Sequence, residues 1–95
     1  MAILLANSIA TSGTDKAITL LKKGSSSLDA IESGIRLVES DPNAGWVGYG
    51  GHPNLLGKVE LDAGIIDGAS LRAGAVGALS GYSHPISVAR KVMES

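Results

Sequence analysis

The sequence predicts an α/β chain, more narrowly α+β, in which helices pack on a mainly antiparallel sheet. Apolar residues recur at the spacing of one helix face over residues 28–38. Over residues 59–65 apolar positions alternate with polar or small ones, which is the period of a strand. A turn at Asp67-Gly68 separates this strand from a second one over residues 71–79. We therefore expect the two strands to form a hairpin, with a turn longer than the tightest kind.

Start and stop signals delimit a first helix over residues 14–23. Gly13 or Thr14 can cap its first turn, and Gly24 ends it. The apolar run over residues 3–6 precedes this helix. A secretory signal would need a basic start and a longer apolar region, so the run is predicted to be a short buried strand.

The second and third helices also have clear boundaries. Ser26 stands in capping-box relation to Asp29, with Asp in the place that Glu usually takes. The second helix ends before Pro42, because the residue that precedes a proline disfavours the helical backbone. Pro85 suits the first position of the third helix. This helix reaches Ser95 without a capping residue, so residues 1–95 are expected to form a single partial domain.

Composition and charge narrow the classes of function. Only 3% of the 95 residues are aromatic and none is Phe, so the core must be built from aliphatic side chains, and thirteen glycines allow its layers to lie close together. A net charge of −1 without a basic run gives no reason to expect a nucleic acid or an acidic membrane as partner. The chain has no Cys, which suits a reducing compartment, and a cytoplasmic location is expected.

The acidic residues and histidines do not mark a catalytic centre. His52 and His84 each adjoin a proline and are predicted at the surface, without the spacing of metal ligands, so no metal site is expected. Glu60 and Asp62 lie two residues apart on one strand face and could share a site as acid and base. The favoured alternative is that Glu60 faces solvent, while Asp62 and Asp67 accept hydrogen bonds from the backbone at the ends of the hairpin.

Two other patterns have ordinary interpretations. Glu32, Arg36 and Glu39 fall opposite the apolar side of the second helix and are predicted to form a solvated face. The glycine-rich loop over residues 45–51 lacks the Lys-Ser/Thr of a phosphate loop, and a strand follows it where a dinucleotide site needs a helix. No nucleotide cofactor is therefore expected.

Six sequence blocks occur in the order typical of one hydrolase family. They are Gly-x-x-x-Leu-Asp-Ala-Ile-Glu-x-Gly from residue 24, Val-Glu-x-Asp-Pro from residue 38, Val-Gly-Tyr-Gly-Gly-x-Pro from residue 47, Leu-Asp-Ala-x-Ile-Ile-Asp-Gly from residue 61, Gly-Ala-Val from residue 74 and Pro-Ile-Ser-Val-Ala-Arg-x-Val-Met-Glu from residue 85. Together they resemble the N-terminal, α-subunit part of the glycosylasparaginase and plant-type asparaginase family, also called isoaspartyl peptidases. The glycine turn resembles the first branch and Asn43-Ala44-Gly45 the second, so both branches stay open.

This resemblance implies the N-terminal-nucleophile hydrolase fold, a four-layer αββα sandwich. Family precursors cut themselves into α and β subunits, and the new N-terminal Thr of β is the nucleophile, with its own α-amino group as base. This chain is then expected to carry no catalytic residue and to need no cofactor. The implied partners are a β subunit that carries the Thr, in an (αβ)2 assembly. The implied substrate is the side-chain amide of asparagine or N4-glycosyl-asparagine, or an isoaspartyl peptide.

Two departures from the family pattern give candidate substrate-pocket residues. Counting back from Leu28, Asn7 stands where glycosylasparaginases have a Trp that lines the substrate site. Trp46 stands where the family has a small polar residue beside the nucleophile. We expect Trp46 to fill the pocket from the other side and Asn7 to supply a polar contact; the alternative is an ordinary loop tryptophan that packs on the hairpin. Residues 38–48 would correspond to a loop that can hold sodium through backbone carbonyls in the asparaginase branch.

The sequence is also compatible with a second class of function. The chain could be a stand-alone, non-catalytic interaction or structural module that self-associates, because an exposed hairpin and an uncapped last helix would leave an apolar face open. The two classes differ in whether a second polypeptide that begins with Thr accompanies the chain.

Overall fold

The computed structural model describes residues 2–45 and 47–95. Within these residues it contains three α-helices and one two-stranded antiparallel sheet, which confirms the α+β class. The elements are α1 (Thr11–Lys22), α2 (Ser27–Ser40), β1 (Leu61–Asp67), β2 (Arg72–Leu79) and α3 (Pro85–Glu94), with short 3-10 turns at Ser8–Ala10 and Gly48–Gly50. No helix of the described part is long and apolar enough to cross a membrane.

The first helix begins earlier than predicted, and Gly13 lies inside it instead of capping it. Helix α1 starts at Thr11, because the 3-10 turn that Asn7 caps runs directly into it. Gly13 is therefore inside the helix, where it is buried against Gly34 of α2. A Cβ at Gly13 would overlap the carbonyl group of Gly34. The prediction that Gly13 or Thr14 caps the helix was wrong, since this glycine serves a close helix crossing.

The predicted boundaries of α2 and α3 are confirmed. Ser26 Oγ accepts a hydrogen bond from the Asp29 N–H at 3.1 Å, so it is the N-cap of α2. Helix α2 ends at Ser40, ahead of Asp41-Pro42. Helix α3 starts at Pro85, the position that the fixed backbone of proline favours.

An aspartate side chain accepts hydrogen bonds at each end of the hairpin. At the turn, Asp67 Oδ1 accepts from the Ala69 N–H at 3.2 Å and Oδ2 accepts from Ser70 Oγ at 2.8 Å. At the open end the strand register shifts beside Asp62, whose Oδ1 accepts from the Ala78 N–H at 2.9 Å. The longer hairpin and the structural interpretation of both aspartates are thereby confirmed.

The core lies between α3, α2 and one face of the hairpin. Its buried members are Ile65, Ile86, Ala89 and Met93, with Leu28, Ile31, Ile35, Ala63 and Val76 packed around them. Gly74 lets α3 approach β2, because a Cβ there would collide with the backbone of α3 at Ala89 and Met93. The opposite face of the hairpin is exposed and carries small or apolar side chains at Ile66, Ala73 and Ala75.

The N-terminal strand prediction was wrong. Residues 2–6 belong to no strand, and Ile3 and Leu5 are 78% and 91% exposed. A strand needs a neighbouring strand to satisfy its backbone groups. Within the described residues the sheet consists of β1 and β2 alone, and neither pairs with this segment.

Candidate functional site

Asn7 lies at the junction between the N-terminal segment and the first turn. Its Oδ1 accepts a hydrogen bond from the Ala10 N–H at 3.2 Å, and the side chain is exposed. Beside it is a cavity of about 260 Å³ between the N-terminal segment, α1 and α2. Of the residues that line this cavity in the described part, only Asn7 and Thr14 have polar side chains. The site is therefore an apolar cavity with an amide at its edge.

Trp46 lies outside the described residues, so its meeting with Asn7 in one pocket stays a prediction. The chain on both sides of it is described. A shallow cavity of about 490 Å³ lies between residues 8–12 and residues 41–44. The segment that follows Asn7 is thus a neighbour of the loop that leads to Trp46.

The glycine-rich loop contacts the end of α2 at Gly48. Gly48 is buried with φ +52°, a backbone conformation that favours glycine. A Cβ at Gly48 would overlap the backbone of Glu39. The loop therefore reaches the last turn of α2 only because this residue is glycine.

Glu39, in that last turn, is the residue that the sequence interpretation missed. It was predicted on a solvated face, yet it is 3% exposed. Its Oε2 accepts from the Ile86 N–H at 3.0 Å, and its Oε1 lies 3.4 Å from His84 Nδ1. The prediction failed because the start of α3 and the Gly48 loop both cover this end of α2. One general feature of the sequence pointed to an acceptor at this place. The first backbone N–H groups of any helix, including α3, have no partner within the helix and need an acceptor.

Burial governs the protonation of this pair. Burial raises the pKa of Glu39 to about 7, while the Ile86 N–H bond and the Arg36 charge act in the opposite direction. Burial also lowers the pKa of His84, and the Arg36 charge adds to that effect. The side chain of His84 is 22% exposed, and His52 is exposed as predicted. Both members of the pair therefore favour their uncharged forms.

The rest of the predicted solvated face joins α2 to α3. Arg90 Nη1 donates to Asp29 Oδ1 at 2.8 Å and to Glu32 Oε1 at 2.9 Å. Ser87 Oγ donates to Glu32 Oε2 at 2.6 Å, and Arg36 Nη1 donates to Ser87 Oγ at 2.7 Å. Glu32 is half-buried, so only Arg36 matches the solvated-face prediction. This network fixes the orientation of the third helix and has no feature of a reaction centre.

Glu60 and Asp62 each have a separate structural partner. Glu60 is exposed and accepts from the Asn54 side-chain amide, and Asp62 holds the backbone of β2. The preferred interpretation of these carboxylates is thereby confirmed over an acid and base pair. Across residues 2–45 and 47–95, no group of three or more His, Cys, Asp or Glu side chains is arranged to hold a metal ion.

Sequence comparison identifies the class of protein. The sequence profile described as asparaginase matches residues 7–95, which is nearly the whole chain. The chain belongs to this asparaginase family.

Individual relatives come from several branches of the family. The chain is 49% identical over 79 residues to N(4)-(β-N-acetylglucosaminyl)-L-asparaginase of Elizabethkingia miricola, a match that covers 83% of this chain and 23% of that protein. It is 41% identical over 91 residues to isoaspartyl peptidase/L-asparaginase of Rattus norvegicus, covering 96% and 27%. It is 53% identical over 76 residues to plant-type L-asparaginase of Pyrococcus abyssi, covering 78% and 24%. The chain thus spans about a quarter of the length of these relatives.

Proposed function

We propose that this chain is the non-catalytic, α-subunit-like portion of an amidohydrolase. The assembled enzyme would cleave the side-chain amide of asparagine or N4-glycosyl-asparagine, or isoaspartyl peptides. The nucleophile would be an N-terminal Thr exposed by self-cleavage and located outside this chain. The observation that carries the proposal is the family match over residues 7–95, together with relatives named for these three activities.

The open face of the hairpin supports the four-layer part of the proposal. One face is covered by α3, while the other exposes Ile66 at 71% between small side chains. Small side chains let a second sheet approach closely, and stacked sheets lie roughly 10 Å apart. In the αββα sandwich that we propose, a sheet supplied by the β portion would cover this face, and two such αβ units would form the (αβ)2 assembly.

Asn7 and Trp46 remain our candidates for the substrate pocket. Support comes from the neighbouring positions of the segment after Asn7 and the loop before Trp46. In this proposal the Asn7 amide contacts substrate at the edge of the apolar cavity, and Trp46 closes the opposite side.

The test is the composition of the purified native protein, measured by intact mass and by N-terminal sequencing. We expect a second polypeptide that begins with Thr and co-purifies with this chain. Asn7→Ala and Trp46→Ala in that assembly should each lower kcat/KM for asparagine or glycosyl-asparagine. Unchanged kcat/KM in both variants would remove the two residues from the pocket without removing the family function.

The alternative of a self-associating, non-catalytic module rests on the same open hairpin face. It predicts a single 9.6 kDa polypeptide that forms dimers and never hydrolyses asparagine. Sedimentation of the isolated chain, with Ile66→Lys as the disrupting variant, distinguishes this outcome from a heteromeric enzyme.

A further inference from the structure

Asp67 and Gly68, at the turn of the hairpin, form the one Asp-Gly or Asn-Gly pair in the sequence. In such a pair the glycine has no Cβ to shield its backbone nitrogen, so this nitrogen can attack the side-chain carboxyl carbon of the preceding residue. We propose that the Asp67–Gly68 bond is a site of spontaneous isoaspartate formation, and that the hydrogen bonds of the turn set the rate of this reaction in the folded chain.

The reaction needs only water as a co-reactant. The Gly68 nitrogen attacks Cγ of the neutral Asp67 carboxyl group, and the N–H proton leaves with the carboxyl hydroxyl as water, so that a succinimide ring forms. Water then adds to one of the two ring carbonyls. Addition at Cγ restores the original chain, whereas addition at the main-chain carbonyl of Asp67 leaves the chain running through the side chain. The mass is unchanged, and nothing is oxidised or reduced.

The backbone at Gly68 is open to this attack. Gly68 is exposed, and a Cβ placed on it would meet no atom within 4 Å. Its φ does not lie in the left-handed region, so the turn does not require a glycine at this position. Within residues 2–45 and 47–95, no group accepts a hydrogen bond from the Gly68 N–H. The attacking nitrogen is therefore neither shielded nor held.

The carboxyl group, in contrast, is held on both oxygens. Asp67 Oδ1 accepts from the Ala69 N–H at 3.2 Å, and Oδ2 accepts from Ser70 Oγ at 2.8 Å. The main-chain carbonyl of Asp67 accepts from the Leu71 N–H at 2.8 Å. Ser70 Oγ also accepts from the Arg72 N–H at 3.3 Å, which ties the hydroxyl to the second strand. Both carbonyl carbons that take part in the reaction are thus fixed by the turn.

These hydrogen bonds slow the reaction because they stabilise the ionised carboxylate. A carboxylate is a poor electrophile, since attack by nitrogen needs the hydroxyl of a neutral carboxyl group as its leaving group. The Ser70 hydroxyl and, after it, the Ala69 N–H hold the pKa of Asp67 below its ordinary value, and the charge of Arg72 adds a smaller effect in the same direction. Attack also makes Cγ tetrahedral, which displaces its oxygens from the donors that hold them.

The other aspartates give the reaction less opportunity. Asp41 precedes a proline, whose nitrogen carries no hydrogen. Asp15 and Asp29 lie in α1 and α2, and Asp62 lies in β1. The residue after each of these three has a Cβ and belongs to the same helix or strand. Isoaspartate is therefore expected at Asp67 before it appears at any other aspartate.

Isoaspartate at this position alters the end of the hairpin. The main chain becomes longer by one carbon atom, and the carbonyl that accepts from the Leu71 N–H becomes a free carboxylate. Asp67 pairs with Arg72 in the last pair of the ladder, and one added backbone atom does not fit the register of the two strands. Amide hydrogens at the turn should then exchange faster, while the core around Ile65 is retained.

The experiment is incubation of the folded 95-residue chain at pH 7.4 and 37 °C, followed by peptide mapping that separates aspartyl from isoaspartyl forms. In 18O-labelled water each ring opening adds one heavy oxygen atom, so openings that restore aspartate are counted as well. A synthetic peptide of residues 62–73 gives the rate without the folded turn. The rate in the chain should be roughly tenfold or more below the rate in the peptide, as expected for a carboxylate held by charge-assisted hydrogen bonds.

Two substitutions at exposed positions should shift the rate in opposite directions. Ser70→Ala removes the donor to Oδ2 and should raise the rate about tenfold, toward that of the peptide. Gly68→Ala has room for its Cβ, which shields the attacking nitrogen, and should lower the rate severalfold. Ser83→Ala changes an exposed serine outside the turn and is the matched control, with an unchanged rate.

The proposal is wrong if neither the wild type nor Ser70→Ala acquires isoaspartate or 18O at Asp67 by the time the peptide has reacted. A wild-type rate equal to that of the peptide would also overturn it, as would earlier accumulation at another aspartate. Circular dichroism checks that the variants are folded, and if Ser70→Ala is not, the comparison of wild type with peptide decides. No substrate or second subunit takes part, so the result is independent of the proposed amidohydrolase activity.

Discussion

The two faces of the hairpin differ in what covers them, although neighbouring residues supply both. Ile65 is 4% exposed beneath α3, and Ile66, the next residue of β1, is 71% exposed on the other face. The inner face has Gly74 at the point where α3 approaches, whereas a Cβ at Gly64 on the outer face would meet nothing closer than 3.9 Å. The same strand thus contributes a buried side chain to the core on one face and an exposed apolar side chain on the other.

The same contrast separates whole segments of the chain. The start of α3 is buried, with Ile86 at 2% exposure, while Leu5, Leu55 and Leu56 are 91%, 106% and 92% exposed. These leucines are as apolar as the core residues, but nothing in the described part of the chain packs on them. Apolar composition therefore indicates which residues can be buried, and the partner element decides which of them are.

Replacing the two adjacent isoleucines should give the largest difference. Ile65→Ala removes a buried side chain and leaves a cavity, and it should lower the free energy of unfolding by about 4 kcal/mol. Ile66→Ala should change it by less than about 0.5 kcal/mol in the isolated chain. Urea denaturation of both variants provides the measurement, and equal losses would mean that both faces are covered in the isolated chain.

Adding one methyl group to each face gives the second comparison. Gly74→Ala pushes a Cβ into the backbone of α3 and should cost about 3 kcal/mol. Gly64→Ala has room on the open face and should be neutral or slightly stabilising, since alanine restricts the unfolded chain. Thermal unfolding by circular dichroism distinguishes the two, and a harmless Gly74→Ala would contradict the close contact of α3 with β2.

Loss of the helix-to-helix ion pairs should have a smaller effect. Arg90→Gln removes the bonds to Asp29 and Glu32, both under 3 Å, and should lower stability by about 1–2 kcal/mol because the Arg90 side chain is only 18% exposed. Arg72→Gln changes an exposed arginine on the hairpin and is the matched control. The difference between the variants should shrink in 1 M NaCl, as expected for partly exposed charges. A loss that salt does not alter would indicate that packing of the arginine stem, and not charge, is responsible.

The smallest expected effect belongs to a helix cap. Ser26→Ala removes the acceptor for the Asp29 N–H and should cost about 1 kcal/mol. Ser27→Ala, one residue later and inside the helix, should cost nothing measurable. Equal effects of the two substitutions in chemical denaturation would show that Ser26 does not cap α2.

Local signals in the sequence predicted the features that depend on a few neighbouring residues. The cap at Ser26, the helix start at Pro85 and the turn at Asp67 each follow from a side chain and the backbone within four positions of it. Family blocks predicted the class of protein for the same reason, since they are patterns in the chain itself.

Features that depend on distant contacts were not predictable in this way. Glu39 has the helical position of a solvated residue, and its burial depends on Ile86, 47 residues further along the chain. Gly13 has the appearance of a capping glycine, but its role is set by Gly34 on another helix. The apolar run over residues 3–6 has the composition of a strand and lacks a neighbouring strand in the described residues.

The central claim is that the reactive threonine is carried by a polypeptide other than this one. The most direct test is ammonia release from asparagine, measured with the purified 95-residue chain alone and then together with a Thr-initiated β portion. We expect no release above background from the chain alone and release from the combined protein. Ammonia release by the homogeneous single chain would contradict it.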